Sequence, residues 1–238
     1  MAENDLMNAL GGVGEGESLP DPLPDDPFGI AETWFNDARD RAVQPNPNAM
    51  TLATADETGA PSARIVLCKH FDADSGSVIF YTNYQSRKGR ELEANPRAAL
   101  VMHWDALDRQ IRITGPVTHA PAEQSDAYFA SRAWEKRLGA WSSDQSQPIE
   151  SREALLMQVA ERAVELDIDL RKIVDGHADE LVIPRPPHWG GYRVWAETVE
   201  LWCSGVGRVH DRALWRRDLT RDGDDYNAGP WSSTRLQP

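Results

Sequence analysis

The chain has 238 residues, 40% of them hydrophobic, and a formal charge of −13, which suits one domain with appendages around a closed core. No apolar run approaches the roughly 20 residues of a membrane-spanning helix, and so acidic a chain makes a poor nucleic-acid surface, which needs an excess of Lys and Arg. Cys68 and Cys203 are the two cysteines; with no CxxC or Cys/His spacing they predict buried inert thiols, without disulfide or zinc.

Residues 1–25 are acidic and rich in Gly and Pro, and they lack the basic start and apolar stretch of a secretory signal. They read as a flexible arm ahead of a single domain over 26–238, in a cytoplasmic protein. Asp26-Pro27 opens a helix, and Phe28, Ala31, Trp34, Phe35, Ala38 and Ala42 then recur at helical spacing. This predicts an amphipathic helix over 27–43, stopped by Pro45 and Pro47. Strands follow over 50–55, 62–69 and 77–83, the first two joined by the turn Asp56-Glu57-Thr58-Gly59. A short helix is predicted over 86–95 and stopped by Pro96; strands are predicted over 98–104 and 110–118, the latter interrupted at Gly115-Pro116. Then come helices over 121–131 and 150–166, a polar Pro-rich loop over 167–188, strands near 191–203 and 207–217, and a last strand near Arg235. Roughly seven or more short strands with few helices between them predict a mainly β fold, a barrel or sandwich rather than βαβ units. No GxGxxG follows a strand, and there is no Walker lysine motif.

The basic residues are not scattered. Segments 64–69, 87–90, 132–137 and 208–217 hold 12 of the 25 Lys and Arg but only two acidic residues, Glu135 and Asp211. Such clustering on an acidic chain points to a small anionic ligand in a focused pocket. In Arg64-Ile65-Val66-Leu67-Cys68-Lys69, strand alternation puts Arg64 and Lys69 on opposite faces, serving different groups. Tyr81-Thr82-Asn83 runs into Ser86-Arg87-Lys88-Gly89, where cations at a helix start are unfavourable unless an anion neutralises them. Alternation also puts Arg208, His210 and Arg212 on one strand face, a set that requires an anionic partner.

Taken in order, RIVLCK at 64–69, FYTNYQSRKGRELEANPRA at 80–98, RQIRITGPV at 109–117, YFASR at 128–132, GAWSSDQS at 139–146, PRPPHWGGYRV at 184–194 and GRVHDR at 207–212 resemble the pyridoxine/pyridoxamine 5′-phosphate oxidase family. The resemblance runs from about residue 27 to the C-terminus. It implies a split β-barrel homodimer with one FMN in each of two clefts at the subunit interface. By position it assigns FMN contacts to Arg64, Ile65, Val66, Leu67, Cys68, Lys69, Tyr81, Thr82, Arg87, Lys88, Gln110, Gln145, Ser146, Trp189 and Arg212. Substrate contacts fall on Lys69, Tyr128, Arg132, Arg208 and His210, with Lys69, Tyr128 and Arg132 on the phosphate; Lys136, beside that cluster, is a further candidate contact outside the family pattern. Arg208, His210 and Arg212 would place the substrate ring over the flavin. The implied reaction oxidises phosphorylated B6 vitamers to pyridoxal 5′-phosphate, with O2 as acceptor and H2O2 as by-product. Lys136 departs from the family, which has a small hydroxyl residue there. Ala133 departs too, since the family has Pro after the arginine. The arm lacks the Arg and Tyr that some members fold over the substrate, and the loop before Pro184 is longer. Two alternatives stay open: a related oxidase of another anionic aromatic substrate, as in phenazine biosynthesis, and a non-catalytic binder of FMN or pyridoxal phosphate.

Overall fold

The computed structural model describes residues 13–238. Helix α1 (Phe28–Asp40) begins where the Asp26 carboxylate accepts the Phe28 N–H at 2.7 Å. Its apolar stripe of Phe28, Ala31, Trp34, Phe35 and Ala38 is buried against a curled antiparallel sheet. The strands are β1 (Ala49–Ala55), β2 (Pro61–Leu67), β3 (His70–Asp72), β4 (Ser77–Asn83), β5 (Arg97–Trp104), β6 (Arg109–His119), β7 (Trp189–Trp195), β8 (Thr198–Cys203), β9 (Asp211–Arg216) and β12 (Ser232–Leu236). Their main order is β12-β9-β8-β6-β5-β1-β2, with β7 added to β6 and β4 to β7. A separate hairpin joins β10 (Leu219–Asp222) to β11 (Asp225–Ala228).

Strand β6 makes the curl. Its first residues, Arg109 to Thr114, pair with β8, while Val117 to His119 pair with β7. The two partners part at Gly115, where a Cβ would stand 1.8 Å from the Trp195 carbonyl oxygen; only glycine fits. The strand runs through Gly115-Pro116 without the expected break, because Pro116 pairs with Arg97 at the very start of β5. The barrel does not close. Among the described residues β2 pairs only with β1, and β4 pairs with β3 and β7, so a seam separates β2 from β4. This is the split barrel that the resemblance implies.

The helices α2 (Arg87–Ala94), α3 (Ala122–Ala130), α4 (Trp134–Ser142), α5 (Arg152–Glu165) and α6 (Leu170–Val174) flank the sheet. Helix α4 lies where no element was expected, and the expected loop over 167–188 contains α6 and a 3-10 turn over Ala178–Glu180. Together α4, α5 and the 168–183 stretch bury a second, smaller apolar cluster of Leu138, Ala163, Leu181 and Ile183, bordered by Trp134, Trp141 and Val159. Among the described residues no helix is long and apolar enough to cross a membrane.

Residues 13–25 of the expected arm lie along the barrel rather than free of it; residues 1–12 fall outside the described residues. Leu19 is 4% exposed and joins the main core, and the Trp215 indole donates to the Pro24 carbonyl at 2.8 Å. Both cysteines are buried, and burial pushes each thiol up to about 12.

Candidate active site

The seam between β2 and β4 is a cleft of about 430 Å³. Arg64, Ile65, Val66 and Leu67 come from β2, Tyr81, Thr82 and Asn83 from β4, and Lys88 from the first turn of α2; Lys69, Tyr128, Arg132, Lys136, Gln145 and Trp189 complete the wall. Arg64 and Lys69 therefore line one cleft, contrary to the expectation of opposite faces. The strand ends at Leu67, after which the chain crosses to β4, where the Lys69 N–H donates to the Ile79 carbonyl at 2.8 Å. Asn83, which the sequence reading placed in the Tyr81-Thr82-Asn83 cluster without giving it a contact, closes one end of the wall by donating to the Ser143 carbonyl at 3.1 Å. Its signal was its place beside Tyr81-Thr82 in the same strand.

Among the described residues, five cations line the cleft and no carboxylate does. Lys88 is 9% exposed, and its ammonium donates only to neutral oxygens, Gln145 Oε1 at 2.6 Å, Thr82 Oγ1 at 3.1 Å and Ser86 Oγ at 3.1 Å. Burial, with Arg64 close by, pushes it down to about 8. Arg132 stacks over the Trp189 ring at 4.7 Å and keeps a buried Nη1 with no partner. A buried cation held by neutral groups, and a second with an unused N–H, are what an anion-binding cleft requires. Tyr81 stacks on Tyr128 at 4.1 Å and on Trp189 at 5.5 Å, giving a flat aromatic wall. Burial, with Tyr128 nearby, pushes the Tyr81 phenol up to about 12, so it stays neutral.

Arg87 lies outside the cleft. Its Nε donates to Glu91 Oε1 at 2.8 Å, and Arg64 Nη2 meets Glu91 Oε2 at 3.2 Å. Burial alone would raise the Glu91 carboxyl, but hydrogen bonds from Ser62, Thr54, Arg87 and Arg64 outweigh it and hold the group at about 2. Glu91 thus fixes Arg64 at the cleft edge, a role the sequence reading missed. Cys68 faces the core, and Ser146 is exposed, in a left-handed conformation (φ 73°) on the turn after Gln145.

Gln110, Arg208, His210 and Arg212 also lie away from the cleft. Gln110 and Arg212 flank Trp202 in register on the outer sheet face, and Arg212 Nη2 pairs with Glu200 at 2.7 Å. From β2 to β9 is five strand steps, roughly 24 Å along the sheet at about 4.8 Å each. The expected strand face shared by Arg208, His210 and Arg212 does not exist. Val206–Arg208 is a 3-10 turn in which Gly207 and Arg208 have φ of 72° and 65°, and β9 starts only at Asp211. Gly205 and Gly207 were the sequence signal for that turn. His210 Nδ1 accepts the Gly205 N–H at 3.2 Å, which puts the proton of a neutral ring on Nε2.

Fold and cleft define a split-barrel protein with an anion-binding seam walled by aromatic rings. The family model of pyridoxamine 5′-phosphate oxidase matches residues 37–164, and that of the pyridoxine 5′-phosphate oxidase C-terminal dimerisation region matches residues 189–238. The chain belongs to the pyridoxamine 5′-phosphate oxidase family and is an enzyme of the flavin-dependent oxidoreductase class. It is 47% identical over 212 residues to the pyridoxine/pyridoxamine 5′-phosphate oxidase of Paraburkholderia phytofirmans, covering 89% of each protein. With the protein of the same name from Paracoccus denitrificans it shares 43% identity over 224 residues, 90% of this chain and 96% of that one. Among solved structures, PhzG from Burkholderia lata, in complex with tetrahydrophenazine-1-carboxylic acid, matches with a TM-score of 0.75 at 31% identity, over 96% of this chain and 100% of that one. An FMN-binding, pyridoxamine 5′-phosphate oxidase-related protein of Nostoc punctiforme shares the fold, with a TM-score of 0.62 at 17% identity, over 88% of this chain and 96% of that one.

Proposed function

We propose that the chain is a cytoplasmic, homodimeric FMN-dependent oxidase that converts pyridoxine 5′-phosphate, pyridoxamine 5′-phosphate or both to pyridoxal 5′-phosphate. The observation that carries this is a seam lined, among the described residues, by five cations and no carboxylate on a chain of charge −13. Residues 26–238 act as one flavin-binding unit. Lys88, Thr82, Arg64 and Gln145 would hold the cofactor, with Arg87 drawn in from Glu91, and Trp189 and Tyr81 would border it. Bound there, FMN would supply the two-electron redox chemistry of the oxidation, with O2 as the final acceptor. Lys69, Tyr128 and Arg132 bind the substrate phosphate, and the stacked rings keep water from that wall.

The homodimer explains the distant cluster. Arg208, His210 and Arg212 are too far along the sheet to reach the cleft of their own chain, and Gln110 lies with them beside Trp202 rather than in the cleft, so the second copy's set completes it. The match of the dimerisation-region model to residues 189–238, which include three of the four, supports that arrangement. Arg208 and His210 would then meet the substrate ring, with the His210 Nε2–H turned outward as a donor.

A second reading, oxidation of a phenazine precursor, is favoured by the likeness to PhzG; identities of 43–47% to B6 oxidases over about nine-tenths of the chain outweigh it. Oxygen uptake by the FMN-loaded protein separates the readings. Uptake is expected with the two phosphorylated vitamers. Uptake with tetrahydrophenazine-1-carboxylic acid alone would establish the second reading, and bound FMN without turnover of any substrate would make the protein a binder.

Lys136 extends the substrate side. It is exposed yet borders the cleft within four residues of Arg132, where a flexible ammonium is a serviceable phosphate partner. Lys136→Ser should raise KM for pyridoxine 5′-phosphate, make it less salt-sensitive and leave FMN affinity unchanged. Superimposable KM curves across a salt series would place Lys136 in solvent only.

A further inference from the structure

The turn that carries Arg208 is held from outside its own strand pair. Two successive residues with positive φ, one of them not glycine, persist only where their surroundings over-determine them. Bonds inside the turn are long: Arg208 N–H to the Gly205 carbonyl at 3.2 Å, and Val209 N–H to the Val206 carbonyl at 3.4 Å. The shorter ones come from the other end of the chain. Gly14 N–H donates to the Val206 carbonyl at 2.9 Å, and Val206 N–H donates to the Glu15 carbonyl at 3.0 Å.

The rest of that segment fits the turn closely. A Cβ on Gly16 would stand 2.6 Å from the Ser204 carbonyl oxygen, and one on Gly207 would stand 3.3 Å from Val13 Cγ1. Just beyond, the segment is anchored to the barrel. The Glu17 carboxylate accepts from Arg109 Nε at 2.5 Å and Nη2 at 2.8 Å, while Arg109 Nη1 donates to Asp37 at 2.8 Å. Leu19 N–H donates to the Asp211 carboxylate at 2.8 Å, and the Leu19 side chain is in the core.

We infer that residues 13–17 are a positioning strap that fixes the 205–210 turn and so aims Arg208 and His210 at the substrate. This rests on the reading that those two side chains face the substrate. None of residues 13–17 lines the cleft of its own chain. The strap's effect therefore runs through the turn and should appear in substrate kinetics, with FMN binding untouched.

The test uses the full-length, FMN-loaded protein with Gly16→Val or Gly14→Pro. The first drives a side chain against Ser204; the second removes the N–H donor at a φ of 83° that proline cannot adopt. Both leave the Glu17 and Leu19 anchors in place, and thermal melts with flavin stoichiometry confirm folding. Each variant should lower kcat/KM for pyridoxine 5′-phosphate about tenfold with FMN affinity within about twofold, a loss in the range of coupling between contacting residues. In an Arg208→Ala/His210→Ala background the same substitutions should add less than about twofold, since both targets are already gone. Normal kinetics in both strap variants beside an impaired Arg208→Ala would overturn the strap alone, as would equal losses with and without the two side chains. Normal kinetics in both Arg208→Ala and His210→Ala would overturn the underlying assignment, and the strap with it.

Discussion

Lys88→Met should weaken FMN binding by about 1.5–3 kcal/mol, roughly tenfold to a hundredfold, the worth of a hydrogen bond to a charged group. The effect exceeds that of Arg87→Ala, because Arg87 is exposed and already paired with Glu91, whereas Lys88 is buried among neutral oxygens. The pH dependence follows from the same burial. In the flavin-free protein the ammonium titrates at about 8 against an ordinary value of 10.5. A bound phosphate favours the charged form and raises that pKa. Affinity is then flat below pH 8 and falls above it, by up to about tenfold per pH unit, until the bound-state pKa is passed. Stability has the opposite sign. A folded-state pKa below the unfolded one means the charge destabilises the flavin-free fold, fully below pH 8, and that cost is relieved as pH climbs from 8 to 10.5. Lys88→Met should therefore raise the Tm of the flavin-free protein near pH 7 while it lowers cofactor affinity. Fluorescence titrations of FMN from pH 7 to 10, with melts of the flavin-free protein, check both. An unchanged affinity and pH profile would show that Lys88 meets no anion.

Arg132→Ala should raise KM for pyridoxine 5′-phosphate by a similar factor, roughly tenfold to a hundredfold. Its guanidinium is pinned between the Trp189 ring at 4.7 Å and the Phe129 ring at 5.5 Å, with Nη1 buried and unpartnered. Burial lowers its pKa, and nearby Tyr128 offsets this only in part. A substrate phosphate would supply the missing acceptor and the counter-charge. Arg132→Lys should recover only part of the loss, since an ammonium neither stacks on the indole nor presents a planar fork. The inhibition constant of unphosphorylated pyridoxine should not move, because the contact is to the phosphate. Equal KM values for all three proteins would remove Arg132 from substrate binding.

Hydrophobic periodicity made the core elements legible. Strand β4 was read residue for residue from Ser77 to Asn83, and α1 to within a few residues of its ends. What was missed lacked a local signal or obeyed a non-local one. Helix α4 starts at Ala133 with no side-chain cap and contains Gly139, so nothing in 134–142 announces a helix; it forms because Leu138 has a partner cluster. The β10–β11 hairpin did carry a signal, Gly223-Asp224 between the strands. The apolar run over 191–203 hid a break at Ala196-Glu197, where the chain passes Gly115. Basic clustering gave the seam residues, since Arg64, Lys69, Lys88 and Arg132 do converge. It could not give Glu91, an acid acting through an arginine, nor the distance between the cleft and Arg208, which depends on strand order.

The second apolar cluster gives the enzyme two cooperative units of unequal strength. Few buried residues hold α4, α5 and the 168–183 stretch together, while the barrel has a core several times larger; such a unit opens locally at a fraction of the global unfolding free energy. It is tied to the barrel by polar stitches, Asn83 to the Ser143 carbonyl at 3.1 Å and Thr82 Oγ1 to Gln145 Oε1 at 3.2 Å. Yet it carries Lys136 and leads into Gln145, both on the cleft wall. A ligand gripping those residues binds only the closed form and stabilises it by mass action. Occupancy of the cleft is thus written into the backbone amides of α4 and α5 as slowed solvent exchange, while those of the barrel strands register it least.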